Sequence, residues 1–157
     1  MLGPTVDKWD IRFLQLAKHI SQWSKDPSTQ TGAVIVRPDR TVCSVGFNGF
    51  PKQMADTPVY YSNREEKYSR IVHCETNALV HARESVVGYT LYTYPFCSCD
   101  RCAVQMIQAG IKHCVFPVPS SDALSRWGEC LSKAKDYFDE CGVSWAELPE
   151  KVLLLEV

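Results

Sequence analysis

No stretch of this 157-residue chain approaches the roughly 20 consecutive apolar residues that a membrane-spanning helix needs. The chain also has no leader-like opening, because Asp7, Lys8 and Asp10 put charge where a signal peptide has its apolar core. Excess charge is missing too. With 17 Lys and Arg against 18 Asp and Glu the net charge is −1, whereas a nonspecific grip on nucleic acid normally needs a basic face that displaces counterions. Internal repeats are absent. These absences predict a soluble, cytoplasmic protein with neither membrane nor nucleic acid as partner. At 45% hydrophobic content, residues 1–157 suit a single domain able to bury about 70% of its unfolded surface.

Cysteine, by contrast, is plentiful. Eight thiols without a leader point to a reducing compartment rather than a disulfide framework. Cys43, Cys114, Cys130 and Cys141 read as small buried apolar residues. The others fall around one pattern, His73-Cys74-Glu75 followed by Cys97-Ser98-Cys99-Asp100-Arg101-Cys102. One imidazole and two thiolates hold zinc and leave its fourth position open, while Glu75, two residues from the histidine, is free to move protons. Residues 75–83 lack Gly and Pro and place Ala78, Leu79 and Ala82 at helical spacing, so His73 and Glu75 fall in a first turn. Cys99 and Cys102 likewise open a helix, with Ala103, Val104 and Ile107 on one side and Gly110 as its stop. Two helix N-termini then converge on one ion, and their dipoles offset the charge of the thiolates.

Two other uses of the same residues compete. A closed structural zinc knot would recruit Cys97 as fourth ligand but leave Glu75 without a role. A disulfide pair is the second. Cys99 with Cys102 is preferred as the metal pair, because C-x-x-C at a helix start aims both sulfurs at one ion, and Ser98 is expected to cap that helix. Cys74 is expected to pack inward.

H-x-E followed by P-C-x-x-C is the signature of zinc nucleobase deaminases. On it, and on Ser24-Lys25-Asp26-Pro27 running into Thr31–Val36, Gly46-Phe47-Asn48-Gly49-Phe50-Pro51 and Ile107-Gln108-Ala109-Gly110-Ile111, the chain resembles the cytidine and deoxycytidylate deaminase superfamily, most closely its deoxycytidylate (dCMP) deaminases. The resemblance covers roughly residues 8 to 147. Two positions depart from it: Cys74 stands where the family usually has Ala, and Ser98 where it usually has Pro. The resemblance implies catalytic Glu75, zinc ligands His73, Cys99 and Cys102, and a product, dUMP, that feeds thymidylate synthesis. It further implies an allosteric site at Gly46, Phe47, Asn48 and Gly49 for dCTP as activator and dTTP as inhibitor, with Mg2+ accompanying the triphosphate, and a homohexamer. Asn48 and Lys25 are the candidate substrate contacts; Asn48 sits in a Gly-flanked turn and either reaches sugar or phosphate or caps its own turn. Arg64, Lys67 and Arg70 are further cations for a phosphate.

The expected order of elements is a helix over 7–24 with Trp9, Phe13, Leu16, Ile20 and Trp23 as its core stripe, a hairpin of strands 32–36 and 41–47, and a long polar loop over 49–70. The His73 helix, a strand at 89–93, the cysteine helix, a strand at 113–116, a helix over 122–141 and a strand at 143–145 follow. Leu124, Trp127, Leu131, Ala134 and Phe138 form the core stripe of that last helix. The alternation predicts an α/β fold, a three-layer α/β/α sandwich on a mixed, about five-stranded sheet. Cytosine hydrolysis would need zinc to acidify water and Glu75 to carry its proton to the ring and on to departing ammonia. A deaminase of another free base, a nucleoside or tRNA adenosine shares this metal site, and a non-catalytic zinc-stabilised nucleotide-binding module is the remaining alternative.

Overall fold

The structure, a computed structural model, describes residues 7–157; the first six, part of the opening read as leader-free and of the expected 1–157 domain, lie outside the described residues. Five strands form one mixed sheet in the order β2-β1-β3-β4-β5: β1 (Gly32–Val36), β2 (Val42–Phe47), β3 (Thr90–Tyr94), β4 (His113–Pro117) and β5 (Ser144–Leu148). β1 pairs antiparallel with β2 and β3, while β3, β4 and β5 run parallel. The helices are α1 (Lys8–Ser21), α2 (Pro58–Ser62), α3 (Arg64–Arg70), α4 (Cys74–Val80), α5 (Asp100–Ala109) and α6 (Ser121–Glu140), with a 3₁₀ helix at Glu150–Leu154.

Alternation along the strands splits the core in two. Val34, Val36, Tyr92 and Val115 face α1, where Phe13, Leu14 and Ala17 cover them. Ala33, Ile35, Leu91, Cys114 and Phe116 face the layer of α4, α5 and α6. The expected α/β/α sandwich and its five-stranded mixed sheet are therefore found. Gly46 allows α4 to lie close on β2: a Cβ there would stand 2.4 Å from the carbonyl of Cys74 and 2.5 Å from the amide of Ala78. Ser44 adds a hydrogen bond from its Oγ to the Ala78 carbonyl (2.7 Å). The helix that carries Glu75 is thus fixed to the sheet by backbone contact.

Several expectations need correction. Residues 49–70 are not one loop but contain α2 and α3, whose first turns are capped by the side chains of Thr57 and Asn63. Trp23 lies beyond the end of α1 and is 53% exposed, so it leaves the core stripe. Leu124 (51% exposed) and Val104 likewise face outward, since the packing faces of α6 and α5 run through Ala123, Leu131 and Phe138, and through Ala103 and Met106. β5 begins one residue later than expected and runs on to Leu148. Among the described residues no helix is long and apolar enough to cross a membrane.

Candidate metal and nucleotide site

His73, Cys99 and Cys102 come together at the N-termini of α4 and α5, their ligand atoms all within 4.8 Å of one another. His73 is the residue before α4 and makes no capping hydrogen bond with its side chain. Its Nδ1 instead lies 3.2 Å from Cys102 Sγ and 3.5 Å from Cys99 Sγ. A tetrahedral zinc, with Zn–N near 2.0 Å and Zn–S near 2.3 Å, sets its nitrogen and sulfur donors about 3.5 Å apart, close to both imidazole–sulfur distances here, so the donor set fits that ion. Cys99, not Ser98, caps α5: its sulfur accepts the Cys102 amide at 3.4 Å, while Ser98 is buried. Cys97, the rival ligand, is buried outside this trio, and burial pushes its thiol pKa well up.

The charges in the trio are linked. Contact with the Cys99 sulfur raises the His73 pKa to about 9. The nearness of the two thiol groups lowers the pKa of Cys99 and raises that of Cys102. A divalent cation replaces such protons when it binds. Thr76 ties the two helix starts together by donating from its Oγ1 to Gln105 Oε1 (2.6 Å).

Glu75 sits in the first turn of α4, only 6% exposed, and is not one of the clustered donors. One carboxylate oxygen accepts a hydrogen bond from the Cys74 thiol (2.7 Å), which burial keeps protonated by raising its pKa well above the ordinary thiol value. Cys74 therefore packs inward as expected, and its contact with the carboxylate was not foreseen. Side-chain direction, not spacing, produces it.

His73, Cys74, Glu75 and Cys99 form the floor of a cavity of about 310 Å³, with Cys102 behind them. Its walls are Asp26 to Thr31 with Asn48 on one side, α2 and α3 with Tyr61, Arg64, Lys67 and Tyr68 on another, and Phe96, Arg126 and Trp127 on a third. Asn48 is buried and holds the 26–31 loop: Oδ1 accepts from the Thr31 amide (2.9 Å), and Nδ2 donates to the Thr29 carbonyl (2.8 Å) and Asp26 Oδ2 (3.2 Å). Both amide hydrogens are thus committed to the loop, rather than to its own turn or to open cavity. Lys25 does not line the cavity; its ammonium pairs with Asp56 at 2.9 Å and its side chain is 69% exposed. Arg70 pairs with Glu66 and lies over the Tyr60 ring, also off the wall. Of the allosteric candidates, Gly46 is occupied in packing α4, and Phe47 is exposed at the end of β2 with its ring edge-on to Trp23. Gly49 bridges its backbone to Val72. Arg126, which sequence reasoning missed, reaches the cavity only through tertiary packing of α6.

A family model described as the cytidine and deoxycytidylate deaminase zinc-binding region matches residues 7–118. An uncharacterized deaminase in the luxG 3′ region of Aliivibrio fischeri is 41% identical over 148 residues, 94% of this chain and 99% of that protein. The deoxycytidylate deaminase of Pongo abelii is 31% identical over 150 residues, 92% of this chain and 82% of its own length. The crystal structure of dCMP deaminase from cyanophage S-TIM5, in complex with dCMP and dUMP, superposes with a TM-score of 0.72 at 20% identity and covers 92% of this chain and 99% of its own; it shares the fold. The matched region spans every element that carries the three donors and the buried carboxylate, and the chain belongs to the family of cytidine and deoxycytidylate deaminases.

Proposed function

We propose that this chain, acting as one domain, is a deoxycytidylate deaminase that converts dCMP and water to dUMP and ammonia, with Glu75 as its proton carrier and His73, Cys99 and Cys102 as its zinc ligands. The carrying observation is the buried carboxylate of Glu75, outside the three-donor cluster but on the same cavity floor. Zinc, when bound there, supplies a Lewis acid that acidifies water near neutral pH. Glu75 then does what the chemistry of C4 demands. Its carboxylate takes a proton from the attacking water and delivers it to N3 of the ring, then takes the proton of the hydroxyl newly bonded to C4 and gives it to the departing amino nitrogen, so that ammonia leaves and C4 becomes a carbonyl. The Cys74 thiol holds one oxygen of that carboxylate and leaves the other for this transfer. The deoxycytidylate deaminase from Pongo abelii and the dCMP-bound phage structure support dCMP as substrate.

Replacing Glu75 by Gln is expected to keep metal content and fold while kcat falls on the order of 10³-fold or more. Retained turnover in E75Q would reject the mechanism. Faster turnover of free cytosine or cytidine than of dCMP, followed by ultraviolet absorbance and ammonia release, would move the substrate to another member of the family.

The finer assignments rest on the resemblance. They are activation by dCTP and inhibition by dTTP at Gly46-Phe47-Asn48-Gly49, Mg2+ with the triphosphate, a cytoplasmic homohexamer, and supply of thymidylate precursor. The exposed Phe47–Trp23 aromatic pair supports a nucleotide or subunit contact at that edge of the sheet. A rate on dCMP that stays constant under millimolar dTTP would remove the regulatory assignment and leave the catalytic one in place.

A further inference from the structure

Four basic side chains other than His73 were candidates for a phosphate, and the cavity sorts them. Lys25 and Arg70 lie off its wall, each paired with a carboxylate. Lys67 is on the wall, but its ammonium is 2.9 Å from the buried carboxylate of Asp26, so its charge is already matched. Arg64 lines the cavity from the first position of α3, is exposed, and forms no ion pair among the described residues.

A fifth cation, Arg126 of α6, lines the same cavity. Its guanidinium carbon is 4.1 Å from the centroid of the Trp127 ring and its Nη2 donates to Ser28 Oγ (3.3 Å), so the planar fork is held in place. Among the described residues its one ion pair is with Asp122 at 3.8 Å, whose side chain is 79% exposed and therefore screened by solvent, while Asp100 and Glu129 line a shallower hollow beside it without pairing with it.

The cavity is polar in an ordered way. At the floor lie His73, Cys99 and buried Glu75; at the rim lie two exposed arginines, neither paired with a buried carboxylate among the described residues. Phe96, Trp127 and Tyr61 also line the cavity and offer apolar surface to the neutral ring of a base whose reacting carbon lies on the floor. Whatever the sugar carries then points to the rim. A phosphate monoester, near −2 at neutral pH, matches two arginines, and a free hydroxyl does not.

We propose that Arg64 and Arg126 form a two-arginine clamp for the 5′-phosphate of the substrate, so that these two residues make the cavity prefer a nucleoside monophosphate over a nucleoside. This rests on the deaminase assignment above and deepens it.

The test compares dCMP with deoxycytidine in the wild type, R126A and R64A. Loss of a charge-assisted contact to phosphate is expected to lower kcat/KM for dCMP on the order of 100-fold in R126A, with deoxycytidine changed less than about 3-fold. R126K is expected to recover part of the loss, because it keeps charge and gives up the bidentate fork. R64A is expected to shift the dCMP to deoxycytidine ratio in the same direction. Where deoxycytidine turns over too slowly, inhibition by dUMP against deoxyuridine gives the same ratio, and R126Q replaces R126A should the latter not fold. An unchanged ratio in both arginine variants overturns the clamp while leaving the deaminase standing. Faster turnover of a cytosine-containing oligonucleotide than of dCMP also overturns it, giving the arginines to a polymer backbone. Absence of turnover on every cytosine substrate by fully metallated wild type instead sinks the deaminase assignment itself.

Discussion

The floor of the cavity and its α2–α3 wall are built in opposite ways. The floor hangs on α4 and α5, which pack on the sheet through Ala78, Ala103 and Met106 and are joined by Thr76 and Gln105. The wall buries a single residue across both of its helices, Tyr61, whose ring stacks on Phe50 at 4.2 Å. Beyond that, three polar contacts hold it: Lys67 to Asp26, Lys25 to Asp56, and the Tyr61 hydroxyl to Asp56. The difference separates two tasks. On the function proposed above, chemistry would sit where packing fixes positions within tenths of an ångström, and substrate selection where a few side chains can change without disturbing the three clustered donors.

That contrast can be broken or sharpened at four points. The largest effect is expected at the floor. His73, raised to about 9, and Cys102, also raised, both carry a proton at pH 7 in metal-free protein, and both must release it to bind zinc. Zinc affinity should therefore rise with pH, by about 100-fold between pH 6 and pH 7 for two displaced protons, as read by chelator competition. A flat profile would mean that the donors are not gathered as described.

Next comes the support of the floor. Gly46→Ala would press a methyl group into the backbone of α4 and is expected to cost about 3 kcal/mol in denaturant unfolding, with a drop in kcat. On the wall, Lys67→Met leaves Asp26 with its hydrogen bonds from Ser28, Thr29 and Asn48 but no cation. A loss of about 2 kcal/mol and a KM for dCMP raised about 10-fold, with kcat little changed, is expected from breaking this buried pair. A kcat loss as large as that in G46A would erase the distinction between the regions. The smallest effect belongs to Lys25→Ala, which removes an exposed pair outside the cavity: stability within about 0.5 kcal/mol and kcat/KM within about 2-fold.

What could be read from the sequence follows the same division. The gathering of His73, Cys99 and Cys102 was legible because metal chemistry restricts residue type and spacing, and the sheet because alternating apolar runs leave little choice of element. The wall was read as a loop because α2 and α3 are short, polar and nearly without buried residues, so no apolar period announces them. Their local signals were nonetheless present: Thr57 before Pro58, and Asn63 before Arg64, are N-cap patterns. Arg126 was invisible for a different reason. α6 reads as a core helix along Leu131, Ala134 and Phe138, and only the fold brings its opposite edge to Ser28. The direction of the Cys74 thiol toward Glu75 likewise depends on the turn between them, which adjacency in sequence does not reveal.

Because the sulfur of Cys99 caps α5 through the Cys102 amide, it has a structural duty before any ion arrives. The first turn of that helix is already drawn in the shape the metal requires. Removal of zinc by a chelator and its later return are therefore expected to take away and restore activity while the helical circular dichroism signal stays constant, and a loss of helix on chelation would show that the cap does not hold α5 unaided.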